Sequence, residues 1–165
     1  MSLVRAAVAA WARQSRGRQD RLIACVTAVP AAAVLGVARA LEPDVAGVGT
    51  HTQLGLGACA VLSVTGWPCP MCGMTTTFTH LAHGAVASAI TTQPFGVILF
   101  SVTALIAGTG LADIISPRAR LRRLAAWAQV HEVGLSLFAL LGMASGWAYK
   151  AWVMGCLAGE CGTAP

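Results

Sequence analysis

The sequence predicts an all-α integral membrane protein with three transmembrane helices and one interfacial or re-entrant helix after a CPxC turn. Three observations lead there. The 165 residues are 56% hydrophobic and only 10% charged, with a mean hydropathy of +0.70, whereas a soluble domain carries about 25% charged residues. From Val45 to Ala112 there is no Asp, Glu, Lys or Arg, and so long an uncharged stretch belongs in lipid or in buried protein. Nine of the eleven Lys and Arg residues fall within 5–21 and 118–123, the pattern of a positive-inside bias. The same composition excludes intrinsic disorder, a coiled coil and a collagen-like fibre. Charges gathered this way also argue against a nucleic-acid surface, despite a formal charge of +5.

Residues 1–21 read as a basic cytoplasmic N-terminal segment and 22–165 as the membrane domain. Val4, Val8 and Trp11 recur at helical spacing, which suits a short interfacial helix with its arginines at anionic headgroups. The first span covers about 22–41: Leu22 to Ala38 is uncharged, and Arg39 can snorkel to extend it. A helix of that length covers roughly 26–30 Å, enough to cross a bilayer. Pro30 predicts a kink. The alternative for residues 1–40 is a signal peptide cut near Ala38-Arg39-Ala40. The long apolar run and the central arginine favour an uncleaved anchor.

Residues 42–50 carry Pro, Asp and two Gly and read as a loop. Residues 52–65 are apolar, but Gly55, Gly57 and their short length argue against a full span. The GWPCPMCG segment, 66–73, is a turn, because two prolines and two glycines cannot continue a helix. From Met74 to Gln93 the pattern Phe78, Leu81, Ala85, Ile90 predicts one helix. Its threonines, His80, His83 and Ser88 place it at the interface or re-entering the membrane against other helices. Thr75, Thr76 and Thr77 are expected to cap its N–H groups.

Pro94 opens the second span, about 95–115, as prolines do at a helix start. Ser116-Pro117 ends it, and residues 118–127 form a basic amphipathic connector. Asp113 and Glu132 read as solvated acids at headgroup level. The third span is about 133–152, bounded by Glu132 and Lys150, with Gly142, Ser145 and Gly146 suited to close helix packing. The five tryptophans fall mostly at predicted interfaces, as an aromatic belt does. With both arginine clusters inside a bacterial cytoplasmic membrane, the N-terminus is cytoplasmic, 42–93 lie outside and the C-terminus lies outside. The implied partners are the lipid bilayer and other membrane proteins or a second copy of the chain, not nucleic acid.

Of six cysteines, Cys25 lies in the first span as a small buried apolar residue. Cys59, Cys69, Cys72, Cys156 and Cys161 all fall on the predicted outer side, where disulfides persist. Cys69-Pro70-Met71-Cys72 has the spacing of a redox dithiol, half a zinc site or a structural disulfide, and the helix after it favours a thiolate. For zinc, Cys59 supplies a third ligand and His80 a fourth, with His83 or His51 as alternatives. However, the spacing of His80 and His83 is shorter than that of a zinc finger. Cys156 and Cys161 suit their own disulfide or a tether to the CPMC turn. No Ser/His/Asp arrangement, phosphate-binding loop or dinucleotide glycine pattern is present.

The string Cys59…Thr65-Gly66-Trp67-Pro68-Cys69-Pro70-Met71-Cys72-Gly73-Met74-Thr75 resembles a family of small bacterial membrane proteins, domain of unknown function 2752. Leu81, Gly84 and Gln93-Pro94 extend the resemblance over about 55–115. The family's arginine after the threonine is Thr76 here, and its asparagine before the proline is Gln93. The resemblance implies that Cys59, Cys69 and Cys72 form the site and brings no activity. The function expected is a non-enzymatic membrane module or assembly subunit, its outer site clamped by a structural disulfide or by zinc, with no other cofactor. The alternative is a membrane thiol–disulfide redox protein using Cys69 and Cys72.

Overall fold

The computed structural model describes the backbone of residues 2–156, and side chains from Gly17 onward. Among these residues the regular structure is entirely helical: α1 (Ser2–Ala40), a 3-10 turn (Thr50–Leu54), α2 (Ala60–Thr65), α3 (Met74–Ala82), α4 (Val86–Thr92), α5 (Pro94–Ile115), α6 (Arg120–Val130) and α7 (Glu132–Val153). Gly17–Ala40 and Pro94–Ile115 are long and apolar enough to cross a membrane. A third crossing is reached if Arg120–Val130 and Glu132–Val153 serve as one broken span. Large apolar side chains stand exposed on these helices, among them Val26, Leu105 and Leu141, a surface suited to a bilayer rather than to water.

The predicted short N-terminal helix and first span are one continuous α1, with Pro30 inside it. The single helix expected over Met74–Gln93 is instead two. His83 ends α3, Gly84 takes φ +79°, and α4 begins at Val86. Hydrophobic periodicity runs on through this break, but a left-handed residue cannot extend a right-handed helix. The predicted threonine caps are also absent: Gly73 precedes α3, and no side chain caps the helix start. Thr76 bonds Thr50 instead, Oγ1 to Oγ1 at 2.8 Å, with both residues buried.

The chain divides into two compact units. The first takes the described part of Met1–Val34 together with Thr103–Glu132. Ala24 and Ala28 of α1 are buried, and a Cβ added at Gly110 of α5 would lie 2.5 Å from the Ala28 Cβ. Small residues thus set how closely these helices pack. Asp113, expected as a solvated acid, is 1% exposed. It accepts from the Leu121 N–H at 2.9 Å, the Arg118 N–H at 3.3 Å and Arg120 Nη1 at 3.0 Å. Its carboxylate replaces the side-chain cap that Ala119 lacks at the start of α6, and a negative charge is favoured at a helix N-terminus. The same contacts flank Ala119, the only non-glycine residue with positive φ (56°) among the described residues, and hold it there.

The second unit takes Leu35–Val102 and the described part of Val133–Pro165. The Phe95 ring occupies the space a Cβ on Gly142 would need, and Gln93 likewise occupies the space beside Gly146. Phe78 of α3 meets Phe100 of α5 edge-on at 5.3 Å. Gly142 and Gly146 therefore act as the packing positions their size suggests.

Gly110→Ala is expected to lower stability by about 1–3 kcal/mol, because the added methyl overpacks a closed helix contact. Gly108→Ala, on the same helix with open space around it, should be neutral or stabilising by up to about 1 kcal/mol through helix propensity. Thermal unfolding in detergent micelles, followed by circular dichroism, checks the pair.

Candidate functional site

The CPMC segment folds as a tight turn because its prolines and following glycine leave it no helical alternative. Cys72 N–H donates to the Cys69 carbonyl at 2.9 Å and Met74 N–H to the Met71 carbonyl at 3.0 Å. Gly73 adopts φ +84°, a conformation glycine enters without steric cost. A Cβ there would lie 2.9 Å from the Gly47 carbonyl oxygen, so the glycine is needed for space as well as for φ. From the other side, Trp147 Nε1 donates to the Pro68 carbonyl at 2.7 Å, and its ring centroid lies 6.4 Å from that of Trp67. The turn is anchored before its first cysteine and after its second.

Cys59 comes to this turn from the residue preceding α2. Cys59, Cys69 and Cys72 line one cavity of about 390 Å³, together with His51, Thr52 and Met71. All three thiols are free, and their environments differ. The Leu62 backbone N–H holds Cys59 below the ordinary thiol range; burial opposes this, and the Cys69 thiol assists it. Burial raises Cys69, and the neighbouring Cys59 sulfur adds to the rise. Burial, with the charge of Cys69, pushes Cys72 up to about 11 against the opposing pull of Lys150. A half-exposed acidic thiol thus faces a less acidic one, with a buried third thiol behind.

The histidines divide differently from expectation. His80 is on α3 and does not line this cavity; burial, then the charge of His83, lowers its pKa. His83 uses both ring nitrogens elsewhere, Nε2 with the Leu41 carbonyl at 3.0 Å and Nδ1 with Arg39 at 3.5 Å. Only His51 of the three shares the cavity. Among the described residues no group of three or more His, Cys, Asp or Glu is placed to hold a metal ion.

Cys25 is exposed on α1 rather than buried, as a small residue on a lipid-facing helix surface can be. Cys156 is buried, with Sγ 3.8 Å from the Gly66 carbonyl oxygen. Cys161, its candidate partner, lies outside the described residues.

Lys150, which the sequence places only as the boundary of the third span, belongs to this site. It is 3% exposed, and its Nζ donates to the Gly47 carbonyl at 3.0 Å and the Thr92 carbonyl at 3.5 Å. Its amine reaches within 3.3 Å of where a Gly73 Cβ would stand. A single lysine in the last turn of an otherwise apolar helix was the available signal.

The three thiols should react with a small alkylating reagent in the order Cys59, Cys69, Cys72, because only the thiolate is nucleophilic. With its pKa at about 11, Cys72 is about one part in a thousand thiolate at pH 8. Peptide mass mapping over a time course reads the order, and fastest labelling at Cys72 would contradict it.

No curated protein and no solved structure matches the chain. Residues 59–107, which begin at the first of the three cavity cysteines and run into α5, match the family described as Protein of unknown function (DUF2752).

Proposed function

We propose that the protein is a membrane thiol–disulfide exchange protein. Its cavity on the outer face of a bacterial cytoplasmic membrane receives a disulfide-bearing partner. The carrying observation is that three free thiols of graded acidity share one open cavity. A permanent clamp has no use for a half-exposed acidic thiol, whereas exchange requires an attacking thiolate and a second thiol beside it. The pairing favoured is Cys59 with Cys69, in place of Cys69 with Cys72.

The chemistry balances within the two dithiols. The Cys59 thiolate attacks one sulfur of the partner's disulfide; that bond breaks, and the departing partner sulfur takes a proton. Cys69 gives up its proton and attacks the Cys59 sulfur of the mixed disulfide, releasing the partner's second thiolate. The partner gains two electrons, and Cys59 and Cys69 lose them as their disulfide forms. The direction follows the relative reduction potentials. Support for the outer location comes from the two arginine clusters, which a topology with residues 42–93 outside keeps on one side. The membrane partners and any second copy of the chain belong to this proposal.

The test uses the full chain in micelles with oxidised glutathione. Cys69→Ser should accumulate a glutathione adduct on Cys59, because the resolving thiol is gone. Cys59→Ser should slow adduct formation at the site by at least about tenfold, in line with the lost thiolate. Equal adduct formation in both variants, or a chain that forms no adduct at all, would contradict exchange.

A further inference from the structure

Lys150 is a buried ammonium that donates to two backbone carbonyls, of Gly47 and Thr92, among the described residues. Among the described residues no carboxylate forms an ion pair with it. A buried ammonium held by carbonyls is a strong local positive charge, and a negative charge that develops near it is stabilised. The ionisable group that its charge reaches is Cys72, on the residue before Gly73, where the amine comes closest to the CPMC turn. The other titratable groups facing Cys72 are the Cys69 and Cys59 thiols, with His51 on the same cavity.

We infer that Lys150 is a positioning residue for Cys72. Held behind the CPMC turn by the Gly47 and Thr92 carbonyls, its ammonium compensates the negative charge Cys72 takes when it attacks the Cys59–Cys69 disulfide. This rests on the exchange function proposed above and deepens it. In that step Cys72 gives its proton to water, and its sulfur bonds to the Cys69 sulfur. The Cys59–Cys69 bond breaks, and Cys59 leaves as a thiolate. One disulfide is consumed and one formed, with no net oxidation. Cys59 is the most acidic of the three thiols, so it is the best leaving group. The oxidising equivalent passes inward to Cys69–Cys72, and Cys59 is restored for a second attack.

The test compares Lys150→Gln, whose amide can still donate to the Gly47 carbonyl, with Lys150→Arg, which keeps the charge. Lys150→Met is the second neutral variant if the amide is poorly accommodated. The readout is the rate of modification of each cysteine by methyl methanethiosulfonate as a function of pH, in the full chain in micelles. In the neutral variants the Cys72 profile should move up by about one pH unit, giving about tenfold slower modification at fixed pH below the midpoint. Cys59 should keep its profile, and Lys150→Arg should restore that of Cys72. An unmoved Cys72 profile, or an equal shift at Cys59, would overturn the inference. Glutathione exchange at Cys59 and Cys69 is followed in parallel. If it persists while Cys72 ignores Lys150, only this inference fails. If it is absent from the unaltered chain, the exchange function fails, while the Lys150–Cys72 coupling is still read from the profiles.

Discussion

The last turns of α7 tie the CPMC turn and two neighbouring segments together through three donors. Trp147 donates to the Pro68 carbonyl, Tyr149 to the Thr91 carbonyl and Lys150 to the Gly47 carbonyl. Each acceptor is a backbone carbonyl in a different segment: Pro68 and Gly47 lie in loops, and Thr91 in the last turn of α4, where helix carbonyls lack an onward partner. A backbone carbonyl left unpaired where it is buried is expensive. Placing three long donors on adjacent positions of one helix end answers that cost for three segments at once. The CPMC turn, the loop after α1 and the end of α4 thereby share one anchor, which lets a turn built from proline and glycine keep a defined shape.

That anchoring explains why chemistry can sit on irregular backbone here. Three thiols on a mobile loop would meet at random, whereas this turn is fixed before Cys69 by Trp147 and after Cys72 by the crowding at Gly73. The second unit adds close packing of Phe95 on Gly142 and of Gln93 on Gly146, so the start of α5 and the body of α7 support the same end. The acidity gradient follows from depth. Cys59 meets backbone N–H groups near the surface, and Cys72 meets apolar burial. Depth separates the roles of chemically identical side chains.

Much of this was legible in the residues. Composition and the uncharged stretch pointed to membrane helices, the spacing of Cys69 and Cys72 marked a thiol pair, and the family resemblance added Cys59 to it. What was not legible depends on long-range contacts. Periodicity through Leu81, Ala85 and Ile90 concealed the break at Gly84, since apolar faces can continue across a turn. Asp113 and Lys150 look alike in sequence, as lone charges at span ends, yet both are buried with specific partners. His80 matched a ligand by type, but its place on α3 leaves it off the cavity that His51 shares. Side-chain identity limits what a residue can do; only the fold says whom it meets.

The most direct measurement is disulfide mapping of the Cys72→Ser chain after brief oxidation with one equivalent of oxidant. Removing Cys72 takes away the sequence-near partner of Cys69, leaving the shared cavity as the only reason for Cys69 to find Cys59. The predicted result is an intramolecular Cys59–Cys69 link, with Cys25 still reduced. A Cys59 that stays reduced while Cys69 pairs elsewhere, or a product crosslinked between chains through Cys25, would contradict a site in which the thiols share one cavity.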